Sequence, residues 1–164
     1  MATALRFLSY RPRTEAELRL RLARRFPAAL VDAVIAQLKE LRLVDDAAFA
    51  RLWRESRERY RPRSAGYIKG ELLRLGVSRE VAEEAVAALD EEAIAYRAAS
   101  KLLRTLKGKG YPEFRRKVEG YLGRRGFGAG VVRRVTAALW EELSHPVGGH
   151  HQGHRQDNQT DDVV

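Results

Sequence analysis

From Ala4 to Leu143 the apolar residues fall three or four positions apart, and no stretch alternates in twos. That is the period of helices with one buried face, not of half-buried strands. Ala4, Leu5, Leu8 and Tyr10 predict a short first helix ending near Arg11-Pro12, because proline disfavours helical geometry in the residue before it and lacks a backbone donor. Thr14-Glu15-Ala16-Glu17 has the form of a capping box, worth about 1 kcal/mol to the helix it opens. Leu18, Leu22 and Phe26 continue that helix. After Pro27, the stripe Leu30, Val31, Val34, Ile35, Leu38 and Leu41 predicts a third.

The same grammar then starts again. Leu43-Val44-Asp45-Asp46 opens a helix carrying Phe49, Leu52, Trp53, Ser56 and Tyr60 on one face, with the two acids read as its caps. Arg11-Pro12-Arg13-Thr14 returns fifty positions later as Arg61-Pro62-Arg63-Ser64, and Leu18 and Leu22 return as Ile68 and Leu72. The second helix stops at Gly76-Val77. A third starts from Ser78 with Val81, Ala82, Ala85, Val86 and Leu89. Another step of fifty takes Ile68 and Leu72 to Val118 and Leu122, Gly76-Val77 to Gly126-Phe127, and Leu52-Trp53 to Leu102-Leu103. Val81, Ala85 and Leu89 likewise become Val131, Val135 and Leu139, with Lys107-Gly108-Lys109-Gly110-Tyr111-Pro112 as the intervening loop. A period of this size predicts an all-α, elongated array of three tandem three-helix repeats. Its units span 1–44, 45–92 and 93–144, and a disordered tail rich in glycine, histidine, glutamine and aspartate follows over 145–164.

Composition narrows the class of partner. The 164 residues carry a formal charge of +9, which favours a polyanion or an acidic protein surface. The absence of cysteine excludes disulfides and thiolate metal sites. No apolar run approaches the ~18 residues of a membrane span, and the start lacks a signal-peptide core, so a cytoplasmic protein is expected.

Placed on helical wheels, the charge becomes directional. Arg54, Arg57 and Arg61 form a stripe beside the Phe49 face, with Glu55 and Glu58 on its far side. Arg54 and Arg57 become Arg104 and Lys107 one repeat later, and Arg51 becomes Lys101. Arg24, Arg74 and Arg124 occupy one position in all three units, and Arg19 matches Lys69. Glu80, Glu83, Glu84, Asp90, Glu91 and Glu92 make the end of the middle unit acidic. Any one of these arginines is accounted for as the solvated face of a helix, where arginine is a good former. Their recurrence with the repeat favours an interaction surface. The candidate contacts are Arg24, Arg54, Arg57, Arg61, Arg63, Lys69, Arg74, Arg104, Lys107 and Arg124.

No group of side chains forms a catalytic constellation. His145, His150, His151 and His154 all lie in or beside the tail, where a general base could not be held in register and weak adventitious metal binding is the most they offer. Asp45-Asp46 has no second carboxylate cluster to complete a Mg²⁺ site. Lys107-Gly108-Lys109-Gly110 lacks the spacing and preceding strand of a phosphate loop and reads as a basic turn. Trp53 and Trp140 sit at core spacing rather than as base-stacking platforms. No catalytic residue, metal or cofactor is assigned.

Taken in order, Arg11 to Leu18, Leu43 to Ala50 and Arg63 to Val77 resemble the RecX family of bacterial recombination regulators, and the similarity runs from about Ala4 to Leu143. The resemblance implies a curved array of three-helix units and a monomeric, non-enzymatic negative modulator of the RecA recombinase, acting in DNA repair, recombination and the SOS response. Such proteins lie in the groove of the RecA–single-stranded DNA filament, limit its growth and suppress ATP hydrolysis, strand exchange and co-protease activity. The residues alone leave two other readings open. One is a sequence-independent DNA-binding protein; its helix-turn-helix variant is disfavoured by the acidic exposed face from Val81 to Leu89. The other is an all-α scaffold for an acidic protein.

Overall fold

Five helices begin where the sequence supplies a side-chain oxygen to meet free backbone N–H groups. Thr14 accepts from the Glu17 amide at 3.1 Å while Glu17 returns a bond to the Thr14 amide, the expected capping box. Asp45, Ser64, Ser78 and Asp90 each accept from the amide three residues on. The computed structural model describes residues 1–145. Among them are ten helices and no strand. The first unit holds α1 (Ala2–Leu8), α2 (Glu15–Ala23) and α3 (Ala28–Glu40). The second holds α4 (Asp46–Tyr60), α5 (Ala65–Arg74) and α6 (Arg79–Val86). The third holds α7 (Glu91–Ser100), α8 (Leu103–Leu106), α9 (Tyr111–Gly123) and α10 (Ala129–Ser144), which His145 ends. The tail expected beyond it, 146–164, lies outside the described residues, as do His150, His151 and His154.

The third unit departs from the middle one in its first helix, which breaks into α7 and α8. The Leu102 amide turns back to the Ala99 carbonyl at 2.8 Å and the Ser100 hydroxyl takes the Arg97 carbonyl, so the ladder tightens and restarts.

Three cores lie in series. Leu18, Ile68 and Val118 are each fully buried, as are Leu72 and Leu122, with Leu22 nearly so: the residues that matched at steps of fifty occupy equivalent places. Side chains of this size stabilise by about 1.5–3 kcal/mol each when buried. Leu89 packs against both the second and third cores. The apolar stripes are wider than the cores. Leu30, Leu41, Leu52, Tyr10 and Tyr60 are exposed, because a short helix with two neighbours covers only the centre of its stripe.

Between cores, units are joined by the capping residues. Thr14, wholly buried, donates its hydroxyl to the Leu75 carbonyl at 2.6 Å, and the Glu15 amide donates to Asp46 at 2.9 Å. Fifty residues on, the Ser64 amide donates to the Arg125 carbonyl at 3.1 Å, and the Ala65 amide donates to Glu91 at 2.6 Å. Each joint therefore sets the start of one unit's second helix against two elements of the next unit. These are the turn that ends its second helix and the first acid of its first helix. Both turns hinge on a left-handed glycine, Gly76 at φ +84° and Gly126 at φ +85°. Only the absence of a side chain lets the units approach so closely. Asp46 is thus not a second cap beside Asp45. It serves the neighbouring unit, and burial raises its carboxyl above the usual range although the Glu15 amide pulls the other way.

Candidate interaction surface

A cation offered to a partner must not already be satisfied within the molecule, and by that criterion the ten candidate residues divide. Arg57 is the most engaged. Its Nε and Nη2 meet both oxygens of Glu71 at 2.6 and 3.2 Å, its guanidinium lies 4.4 Å from the centre of the Trp53 ring, and Trp53 Nε1 donates to Glu71 at 2.8 Å. Burial pushes the Glu71 carboxyl up, but Arg57 and Trp53 together outweigh it and hold the carboxyl below its usual range. This arrangement clamps α4 to α5.

Arg54 has Glu55 and Glu58 within 3.3 and 3.2 Å. The two glutamates expected on the far side of the stripe therefore curl round it. Glu58, four residues on, lies only about 40° round the wheel from Arg54, and Glu55 reaches across about 100°; Nε of Arg54 is still left without a well-directed hydrogen bond. Arg63 spans the second joint, donating to the Arg124 carbonyl at 2.8 Å and stacking over Tyr67 at 4.5 Å. Lys69 pairs with Glu83 at 3.2 Å.

Arg24, Arg61, Arg74, Arg104, Lys107 and Arg124 are exposed and pair with no carboxylate among the described residues. Arg24, Arg74 and Arg124 each stand at the end of their unit's second helix, beside the turn. Arg74 and Arg124 lie along a glycine four residues earlier, Gly70 and Gly120, which leaves their stems room to flatten against the helix. The stripe on α4 thus keeps Arg61 alone as an open cation, whereas the three helix-end arginines all stay open.

One group escaped the sequence reading. Arg6, Arg21 and Arg25 line a cleft of about 310 Å³ between α1 and α2, together with Ala2 and Thr3. Helical spacing alone does not bring residue 6 to residues 21 and 25. The available signal was compositional: residues 1–27 hold seven arginines and two glutamates.

Known proteins resemble this chain over most of its length. Models of the first, second and third three-helix domains of RecX match residues 1–38, 45–86 and 90–136, in that order. The regulatory protein RecX of Thermobifida fusca is 36% identical over 139 residues, covering 82% of this chain and 75% of the relative. That of Mycobacterium avium is 35% identical over 142 residues, covering 84% and 82%. The crystal structure of RecX from Lactobacillus salivarius superposes with a TM-score of 0.74 at 22% identity, over 84% of this chain and 92% of that one, a likeness of fold.

Proposed function

The chain belongs to the RecX family, and on that premise we propose that it is a negative regulator of the RecA recombinase. It binds as a curved array in the groove of the RecA–single-stranded DNA filament, bridging neighbouring protomers. There it limits filament growth and suppresses ATP hydrolysis, strand exchange and co-protease activity. The observation that carries this reading is the pair of matching joints between successive units. They hold three similar surfaces in fixed succession, a match for a partner that itself repeats, and on each surface an open arginine occupies the same place: Arg24, Arg74, Arg124. Arg61, Arg104 and Lys107 extend the set. Arg54, Arg57 and Lys69 support it from within the middle unit, and Arg63 from across the second joint. No step in this role calls for a catalytic group or a cofactor, and the regulator works in the cytoplasm as a monomer.

The charge alone also supports direct, sequence-independent binding to DNA, and one titration separates the two. RecA's single-stranded-DNA-dependent ATP hydrolysis is followed while the protein is added below RecA's concentration, beside binding to bare DNA across a salt series. Substoichiometric inhibition at salt where bare-DNA binding is weak is the expected result. Inhibition only once the protein saturates the DNA would mean competition for phosphate, and no inhibition at all would refute the regulatory role.

A further inference from the structure

We propose that the cleft between α1 and α2 is a phosphate-binding site that anchors the first unit to a nucleic-acid backbone. Three arginines, Arg6, Arg21 and Arg25, line one cleft of about 310 Å³ whose other walls are Ala2 and Thr3. No acid lines it. At roughly 30 Å³ per water the cleft has room for a hydrated phosphate and its neighbour along a chain. A guanidinium presents a planar fork of donors that fits phosphate oxygens in pairs.

The nearby carboxylates are committed elsewhere. Glu15 holds Arg19 at 2.9 Å and Lys39 at 2.8 Å. Glu17 holds Arg11 at 2.6 Å and stands 3.5 Å from Arg13, while Asp32 pairs with Arg19. The three cleft arginines pair with no acid among the described residues, although Arg21 from the last turn of α2 and Arg25 from the turn that follows bring like charges to one cleft. Favourable placement near a helix C-terminus accounts for each of them singly. It does not account for a residue of α1, one of α2 and one of the turn after α2 lining the same cleft. Phe7 backs the site: the Arg21 guanidinium lies 5.7 Å from its ring centre and Arg13 lies 4.1 Å from it.

Nor is the cleft a by-product of the repeat. One period on, the equivalent residues are Ser56, Glu71 and Leu75, with Glu71 already clamped by Arg57; two periods on they are Leu106, Tyr121 and Arg125. The site belongs to the first unit alone, so it gives the array a direction on whatever strand it follows. The phosphate chemistry stands on the cleft itself. Only the choice of nucleic acid over a soluble polyphosphate as its source rests on the function proposed above.

The test compares the wild-type protein with R6Q/R21Q/R25Q and with a charge-matched control, R79Q/R115Q/R134Q, whose arginines pair with surface acids. Binding of a fluorescein-labelled oligothymidylate is measured by anisotropy across a salt series, and binding of tripolyphosphate by phosphorus NMR. Helix content is checked by circular dichroism. In the cleft variant the slope of log affinity against log salt should fall by roughly 1.4–2, two or three phosphates at about 0.7 each. The control should fall by much less, and tripolyphosphate should bind the wild type and not the cleft variant. Loss of tripolyphosphate binding with an unchanged oligonucleotide slope would uphold the phosphate site and reassign it to a soluble anion. Wild-type protein that binds no tripolyphosphate, with an oligonucleotide slope indifferent to the cleft, would overturn the proposal. RecA ATP hydrolysis run in parallel keeps the two claims apart: a wild type that shows the cleft effect but leaves RecA uninhibited sinks only the regulatory role.

Discussion

An alanine at Gly76 would have to hold φ near +84° and also place its Cβ 2.2 Å from that of Ala16 in the preceding unit. Gly108 shares the first demand, at φ +80°, but not the second, since nothing lies within 4 Å of a Cβ built there. The pair therefore separates backbone strain from closeness of approach. Gly108→Ala should cost about 1–2 kcal/mol, the left-handed penalty alone. Gly76→Ala should cost a further ~1–3 kcal/mol, because the clash is with a side chain that has no other rotamer to adopt and the joint must open. Equilibrium unfolding in urea measures both, and equal losses would show that the joint is slack at Ala16. At this scale the sequence was legible as far as the turn: Gly76-Val77 and Gly126-Phe127 announced helix ends. That the same glycines admit the neighbouring unit was not legible. The groups they admit, Ala16 at Gly76 and Ser64 at Gly126, are already explained by their own helices, and the acceptor that Thr14 finds is a backbone carbonyl, which every residue possesses and no side chain advertises.

Helix α4 shows what a wheel projection conveys and what it omits. Residue order placed Arg57 correctly beside the Trp53 face. It gave no sign that Glu71, on a different helix, would take the guanidinium and the indole together. Wheels give the angular position of a side chain; which neighbour arrives there depends on how helices cross. The clamp has a pH signature. Glu71 is held below its ordinary value of 4.5, so its contribution to stability is complete above that pH and is lost as pH falls through its lower folded-state value. Glu71→Gln should accordingly lower the melting temperature at neutral pH, and its gap from the wild type should close on acidification. A gap that stays constant down to the acid limb would mean the charge on Glu71 plays no part. Four caps, by contrast, were legible, because Thr14, Asp45, Ser64 and Ser78 act on amides three residues away in their own chain segment; Asp46 and Asp90 were misassigned.

For the molecule as a whole, three similar units were readable from a period of fifty residues, and the open arginines at the ends of the second helices follow that period. Reversing Arg24, Arg74 and Arg124 together to glutamate should raise the concentration needed for half-inhibition of RecA ATP hydrolysis by roughly tenfold or more, about 1.4 kcal/mol. Helix content should be retained, since none of the three is buried or paired. Inhibition at the wild-type concentration would remove these residues from the interface. The matching joints carry one more consequence. A joint that sets the front of one unit against the back of the next is head-to-tail, and a head-to-tail contact that does not close into a ring propagates from molecule to molecule as a fibre. Here neither outer surface can propagate it. At the front of the third unit's second helix the residue one period on from Ser64 is Phe114, which has no hydroxyl and whose amide already donates to the Gly110 carbonyl inside α9. At the back of the first unit's second helix, Phe26 stands where the later units have a left-handed glycine. The chain uses the geometry of a polymer twice and withholds it at both ends.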